Sequence, residues 1–393
     1  MSISTVSLYL TEACNLRCRY CFVHKQPRRL SVELGRRVLD FMLAAPPAVK
    51  RVSVFFFGGE PLLEFGTMRE LTAYGRAEAK ARGKELRLGL TTNGTLMTDE
   101  VLDFLFANQF SINLSLDGKP ETHDANRRTL DGQGSFHLVD RAISRILKHN
   151  PYQGARMTYD PESVGSLYED HEYLWGRGFT NTSPIPVLEQ AWPAEALAEA
   201  EHQQRLMAAA ILARLRRGDV RRVGFLSKYV RRLEANAPQR LRQPCGICNG
   251  YIGIATDGVL YPCQRFAASG AYPFGTVGEI THPENRRAML SFTSAHLQGC
   301  DGCPARMACA GGCPAVNHVC TGDITRPWPT QCAFIRMEYA VSTWFYEAVK
   351  AEDRKLLDQF LGTPRRGAGG TGRASRLPCD AEPETAGTPA VGT

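Results

Sequence analysis

No stretch of the sequence approaches the ~18 to 20 uninterrupted apolar residues that a membrane span needs, and the longest candidates are broken by Arg or Gly. Met1 to Leu10 also lacks the basic start and apolar run of a secretory signal. These two absences describe a soluble, cytoplasmic protein with no membrane partner. They bear on the 13 cysteines as well. Without an export signal, so many thiols point to metal or cluster ligation rather than disulfides. At 393 residues, 43% of them hydrophobic, the chain can build a barrel-sized domain and a smaller one.

The net charge is +7. Much of the excess lies in Arg214, Arg216, Arg217, Arg221, Arg222, Lys228, Arg231, Arg232, Arg240 and Arg242. Such a stretch is either an anion-facing surface for an acidic peptide or nucleic acid, or two solvated helix faces. Only Phe225 and Tyr229 interleave it, too few aromatics for base stacking, so nucleic acid is not an expected partner.

Hydrophobic periodicity divides the chain into repeated strand and helix units. Val6 to Leu10 reads as a strand, and Ser31 caps a helix through Ala45. Strands follow at Arg51 to Phe57, Leu86 to Thr91, Ser111 to Leu116, Arg156 to Tyr159 and Thr182 to Leu188. Helices are expected at Glu64 to Ala81, Thr98 to Ala107, Phe136 to His149 and Ser163 to Gly176. Strands alternating with helices imply a parallel α/β sheet with right-handed crossovers, either a barrel or an open sheet, with its site at the strand C-terminal ends. The organisation expected is 1–190 for this domain, 191–244 for a helical bridge, 245–335 for a cysteine-rich domain, 336–361 for a final helix and 362–393 for a disordered tail.

Three thiols fall within Cys14-Asn15-Leu16-Arg17-Cys18-Arg19-Tyr20-Cys21, with gaps of three and two residues. Such a loop can hold three corners of a cuboidal iron–sulfur cluster and leave one iron open. Zinc is the competing reading, with His24 as a fourth ligand. Gly58-Gly59-Glu60-Pro61 follows the second strand, where two glycines allow close backbone approach. Ser115 and Asp117 close the fourth strand with groups suited to ribose hydroxyls, and Arg127 carries a fork suited to a carboxylate. Asn93 either orients polar cofactor atoms or makes the Asn93-Gly94 turn.

The triad, with Tyr20 just before its last cysteine, and the Gly-Gly-Glu segment after the second strand resemble the radical S-adenosylmethionine (SAM) enzymes. That resemblance implies a [4Fe–4S] cluster on Cys14, Cys18 and Cys21, whose open iron is chelated by the methionine part of SAM. Reduction then gives methionine and a 5′-deoxyadenosyl radical. It further implies that Gly58, Gly59 and Glu60 hold the methionine amine, that Ser115, Asp117 and Arg127 are fourth-strand contacts, and that Tyr20 lies near the adenine. The fold implied is a partial (β/α)6 TIM-like barrel.

A second constellation reads Cys248-x9-Gly258-x4-Cys263, then Cys300-x2-Cys303-x5-Cys309-x3-Cys313, then Cys332. It resembles the SPASM extension of peptide-modifying radical SAM enzymes, which implies two auxiliary [4Fe–4S] clusters. Carried over, Cys248, Cys263 and Cys313 bind the first, and Cys300, Cys303, Cys309 and Cys332 the second. The fourth ligand of the first is Cys245, Cys320 or none, in which case an iron is open to substrate.

The resemblance implies a peptide maturase acting on a ribosomally made precursor by a crosslink or related oxidation, with a flavodoxin- or ferredoxin-type reductant. Sulfatase-maturing members carry an Asp base directly after the second SPASM cysteine, where this sequence has Gln264, and an amide cannot accept that proton. Formylglycine formation is therefore the second expectation, and the base is left unassigned; were that reaction found, Asp160 or Glu162 would be the groups to consider. The first strand begins at once, so a separate leader-peptide-binding protein or the basic bridge is expected to recognise the leader. A rival of another class is a zinc or iron–sulfur electron-transfer or nucleic-acid-binding module, which leaves Gly58-Gly59-Glu60 unexplained.

Overall fold

The computed structural model describes residues 3–235 and 245–362, with only the backbone of residue 296. Arg240, Arg242, Cys379 and the tail expected to be disordered, apart from Gly362, lie outside the described residues. Ten strands form one sheet: β1 (Thr5–Thr11), β2 (Arg51–Gly58), β3 (Glu85–Thr92), β4 (Ser111–Ser115), β5 (Gly154–Tyr159), β6 (Asn181–Pro186), β7 (Arg222–Val223), β8 (Tyr251–Ile254), β9 (Val259–Tyr261) and β10 (Gly275–Thr276). Their spatial order is β10-β9-β8-β1-β2-β3-β4-β5-β6-β7. From β1 to β7 each strand runs parallel to the next, as strands joined by helical crossovers must. The sheet does not close on itself, because the other edge of β1 is taken by β8. This is the expected α/β class.

The strands form where short β-branched and aromatic runs can alternate. In β2, Val52, Val54 and Phe56 face the core, while Ser53 and Phe55 between them stay half-buried. The helices begin at polar caps. Ser31 accepts from Leu34 N (3.1 Å) to start Val32–Leu43, and Thr98 accepts from Val101 N (3.3 Å) to start Asp99–Ala107. Helix Phe65–Ala81 stops just before Gly83, whose φ of +63° a β-carbon would disfavour. Helix Pro120–Asn126 was not anticipated; at seven residues it is too short to show a periodic apolar face.

Three segments differ from their sequence readings. The basic bridge is not one helical region: Ala194–Leu215 ends, Gly218 turns at φ +78°, and β7 joins the sheet before Gly224–Ala235 begins. Its charge is largely engaged internally. Arg214 pairs with Glu172 and Arg216 with Glu352. Arg221 pairs with Asp219 (2.7 Å), and Arg222 donates to the carbonyls of Gln359 (3.0 Å), Phe360 (2.9 Å) and Gly362 (2.7 Å), capping the last helix. The final helix is two, Pro329–Glu352 and Arg354–Leu361, because Asp353 is extended and caps the second through Lys355 N (2.8 Å). The chain then folds back, with the Phe345 and Phe360 rings 4.9 Å apart. Lastly, the cysteine-rich segment contributes β8, β9 and β10 to the main sheet, so its cysteines are carried directly beside β1.

Candidate active site

The cysteine loop leaves the C-terminal end of β1 and is laid along the segment that follows β4. Leu16 and Thr129 form a bridge, Arg17 N donates to Arg128 O (2.7 Å), and Arg19 N donates to Asn126 O (3.1 Å). Arg19 then reaches the end of β5, where its guanidinium meets Asp160 (2.6 Å) and Glu162 (2.8 Å). A loop from the first strand that touches the ends of the fourth and fifth requires a curled sheet. Cys14 and Cys18 are half-buried and Cys21 is exposed. Burial pushes the Cys14 thiol up to about 11 and raises that of Cys18, against a favourable field from Arg127 on the latter. Cys14 Sγ accepts from Leu16 N (3.4 Å) and faces Asn93 Nδ2 (3.9 Å).

Gly58 and Gly59 are required by close packing, and their neighbour is the chain itself. A β-carbon on Gly58 (φ +127°) would lie 1.9 Å from Thr11 O, and one on Gly59 would lie 2.0 Å from Ala13 O. Gly59 N donates to Thr11 O and Glu60 N to Ala13 O, both at 2.9 Å, so the end of β2 fixes where the cysteine loop starts. The Glu60 side chain points inward. Its fully buried carboxylate accepts from Leu62 N (3.0 Å), Thr92 Oγ1 (2.9 Å) and Asn93 N (2.7 Å), joining the ends of β2 and β3. Burial raises its pKa to about 7 despite those three donors.

The expected cofactor contacts at β4 are brought together, and two of them engage each other. Arg127 grips Asp117 through both carboxylate oxygens, at 3.0 Å each, in a pair whose side chains are 7% and 0% exposed. Tyr20 also donates to Asp117, its ring 5.3 Å from the Arg127 guanidinium, and Thr158 N donates to Asp117 Oδ1 (2.9 Å). The Arg127 fork, read from the sequence as suited to a carboxylate, here lies on the carboxylate of Asp117, whose oxygens are met by Arg127, Tyr20 and Thr158 N. Ser115 is buried at the end of β4. Asn93 precedes Gly94 (φ +77°) in a turn, and its side chain donates to Asn15 Oδ1 (2.9 Å) while accepting from Thr95 N (3.0 Å), which ties the turn to the cysteine loop.

Asp160 is a poor candidate for a base. Burial raises its pKa, but hydrogen bonds from Arg19 and Ser163 outweigh that and hold it below its ordinary value. Glu162 is 77% exposed beside Arg19.

The remaining cysteines fall into two groups. Cys300, Cys303, Cys309 and Cys332 lie close together: burial, aided by the charge of neighbours in this set, raises the thiol pKa of Cys300, Cys309 and Cys332. Cys263 and Cys313 form a second neighbourhood, and Cys248 lies beside Cys245. Burial pushes Cys248 and Cys263 up to about 12. Cys320 lies against Glu189 and Arg265, and Arg265 in turn sits beside Cys263 and Cys313. Backbone N–H groups of Arg265 and Phe266 point at Cys263 sulfur, and those of Gly311 and Gly312 at Cys309 sulfur. Together with the Leu16 N–H on Cys14, these donors suit metal-bound thiolates, and all three cysteine sets fit iron–sulfur clusters. Among the described residues, no three His, Cys, Asp or Glu side chains converge on one metal-ion position. A four-iron cluster takes one thiolate per iron, so its ligands stand further apart than those of a single zinc.

Sequence reasoning missed the contacts joining these sets. Arg265 pairs with Glu189, each 24% exposed, and covers the Phe22 ring at 4.8 Å. Phe22 stacks on Phe57 (6.2 Å), which meets Tyr9 edge-on (5.3 Å). Tyr9 donates to Gln264 O (2.7 Å), and Tyr251 donates to the Gln264 side-chain oxygen. The path from Cys21 to Cys263 is thus lined by Phe22, Phe57, Tyr9 and Arg265. Partners this far apart in sequence leave no local signal.

Residues 8–159 match the radical SAM superfamily. This stretch is a radical SAM domain. Such a domain binds S-adenosylmethionine and a [4Fe–4S] cluster, and here it contains the C-terminal half of β1, all of β2 through β5, the triad and every residue read above as a SAM contact. The chain is 34% identical over 153 residues to the cysteine-type anaerobic sulfatase-maturating enzyme of Clostridium perfringens (strain 13 / Type A), covering 35% of this chain and 39% of that one. It is 33% identical over 148 residues to the serine-type enzyme of Bacteroides thetaiotaomicron, covering 35% of this chain and 34% of that one. The chain therefore matches less than half the length of these curated relatives. Beyond the radical SAM domain, the backbone is similar to native anSMEcpe with bound AdoMet, at a TM-score of 0.76, 18% identity and coverage of 89% of this chain and 100% of that one. Streptococcus suis SuiB bound to precursor peptide SuiA is similar at 0.59, with 16% identity over 84% of this chain and 76% of that one. No helix among the described residues is long and apolar enough to cross a membrane.

Proposed function

We propose that this chain is a radical SAM/SPASM peptide maturase that oxidises or crosslinks a residue of a ribosomally made precursor. Cys14, Cys18 and Cys21 would hold the SAM-binding cluster, which supplies a 5′-deoxyadenosyl radical when loaded and reduced. Residues 245–335 would hold two auxiliary clusters. Cys245 is favoured over Cys320 as fourth ligand of the first, since it directly neighbours Cys248, whereas Cys320 neighbours the set through Arg265. Ser115 and the backbone around Gly58-Gly59 are the SAM contacts we favour. Glu60, Asn93, Asp117 and Arg127 would act by fixing the loops that carry them, and Tyr20 by closing the adenine side. The aromatic wall of Tyr9, Phe22 and Phe57 would shield a substrate radical from water.

The observation that carries this reading over formylglycine formation is Gln264. Its side-chain oxygen accepts from Tyr251 and its carbonyl from Tyr9, so the residue beside Cys263 is an anchored amide with no proton-accepting capacity at neutral pH. Formylglycine formation stands second, supported by the sulfatase-maturating enzymes among the relatives. Both SuiB, solved with its precursor SuiA, and anSMEcpe, solved with peptides, act on peptide chains, which supports a peptide partner under either reading. A flavodoxin- or ferredoxin-type reductant in the cytoplasm completes the proposal. The test is mass spectrometry of a sulfatase-type Cys peptide after incubation with wild-type enzyme, SAM and reductant. No formylglycine is expected; robust formylglycine would return sulfatase maturation to first place.

A further inference from the structure

The first cysteine of the triad borders a ring of side-chain hydrogen bonds whose direction can be read atom by atom. Thr95 N donates to Asn93 Oδ1 (3.0 Å), and a backbone N–H can only donate, so the oxygen of the Asn93 amide faces Thr95 and its nitrogen faces the other way. The Thr95 hydroxyl gives its single hydrogen to the same oxygen (2.7 Å) and accepts from Asn15 Nδ2 (2.8 Å). Asn15 Oδ1 closes the ring by accepting from Asn93 Nδ2 (2.9 Å). That nitrogen carries two hydrogens, of which this bond uses one. The second is directed at Cys14 Sγ, 3.9 Å away, a sulfur that also accepts from Leu16 N (3.4 Å). Asn93 is only 7% exposed and its own N–H is held by Glu60 (2.7 Å), so neither its backbone nor its amide can turn to water instead. A donor aimed at a ligand sulfur draws electron density from it and favours the reduced, more negative state of an iron–sulfur cluster, which raises the reduction potential.

We infer that Asn93, beyond fixing its own loop, sets the reduction potential of the cluster on the triad by donating a hydrogen bond to the Cys14 sulfur, with Asn15 and Thr95 holding its amide in the donating orientation. Asn93 is thus a positioning residue that acts on the reaction through Cys14. On reduction the cluster gains one electron, the external reductant loses it, and no covalent bond forms. This rests on the reading of Cys14 as a cluster ligand.

The test is a redox titration of the anaerobically reconstituted protein with dithionite in the absence of SAM, followed by electron paramagnetic resonance, with iron and sulfide measured in each sample. The signal that belongs to the triad is the one missing from Cys14→Ala. In Asn93→Ala that signal is expected at a more negative potential: where the wild-type cluster is half-reduced, the reduced-to-oxidised ratio should fall about threefold, which is about 30 mV for one electron. Asn93→Asp keeps the size of the side chain and an oxygen for Thr95 but has no hydrogen for the sulfur, so its potential should be at least as negative as that of Asn93→Ala. The ratio is read on the cluster-loaded fraction, so a variant that loses part of its iron still reports. A ratio within about 1.5-fold of wild type in Asn93→Ala, or an Asn93→Asp cluster restored to the wild-type potential, would overturn the inference and leave Asn93 with a structural part alone. A Cys14→Ala protein that keeps every reduced-cluster signal of wild type would instead overturn the reading of the triad beneath it.

Discussion

Replacing Asp117 by Asn should be among the most destabilising single changes in the chain. The carboxylate receives Arg127 through both oxygens, Tyr20 and Thr158 N. With the Arg127 side chain only 7% exposed, water cannot replace the lost partner. Removing one member of a buried ion pair costs about 3–5 kcal/mol because the other charge is left uncompensated. That is a large share of the ~5–15 kcal/mol that holds a typical protein folded. Removing both charges costs less than the sum, so Asp117→Asn/Arg127→Met should recover about 2 kcal/mol or more relative to additivity. The assay is urea-dependent pulse proteolysis of the anaerobically prepared protein, with cluster content read in parallel. The unpinned Tyr20 should also lower iron retention by the adjacent Cys18 and Cys21. A loss below about 1 kcal/mol for Asp117→Asn, or strict additivity in the double variant, would refute the account of this network.

Three further outcomes follow from the same geometry. Glu60 has a pKa raised by burial from 4.5 to about 7, so the native state holds its proton more tightly than the unfolded chain. Its stabilising effect is then fully present below about pH 4.5 and is lost as pH rises through 7, a change of roughly 3 kcal/mol that Glu60→Gln should remove from the stability–pH profile. Cys245→Ser should lower the iron content of the anaerobically reconstituted protein, whereas Cys320→Ser should leave it at the wild-type level; the reverse pattern would transfer the fourth-ligand role. Arg222→Ala frees three helix-end carbonyls, and hydrogen exchange in residues 354–361 should rise while that of β1 to β4 is unchanged.

What the sequence disclosed was mostly local. Helix Phe136–His149 was legible because Phe136, Val139, Ile143 and Ile146 recur at helical spacing and all are buried. The cap at Ser31 was legible for the same reason, since a cap is decided within four residues. The cysteine triad was readable because its spacing is itself the chemistry. Less was legible where the deciding partner is remote. The arginines of the bridge look like a surface patch until Glu172, Glu352 and the carbonyl of Phe360 are found beside them, 42 to 138 residues away. The role of Tyr251–Ile254 as the neighbour of β1 depends on a pairing across 246 positions, which no periodicity announces. Asp117 and Arg127 stand out in the sequence as charged groups in the segment that follows β4, yet nothing in their spacing says that each satisfies the other.

The central claim is that Cys14, Cys18 and Cys21 hold the group at which SAM is split. The most direct measurement is 5′-deoxyadenosine released from SAM by the anaerobically reconstituted protein after reduction with dithionite, for wild type and for each Cys→Ala variant of the triad. The account predicts product from wild type and none from Cys14→Ala, Cys18→Ala or Cys21→Ala, because a cluster left with two thiolates of three is lost or scrambled. Wild-type rates in any one of the three variants, or zinc without iron in the wild type, would contradict it.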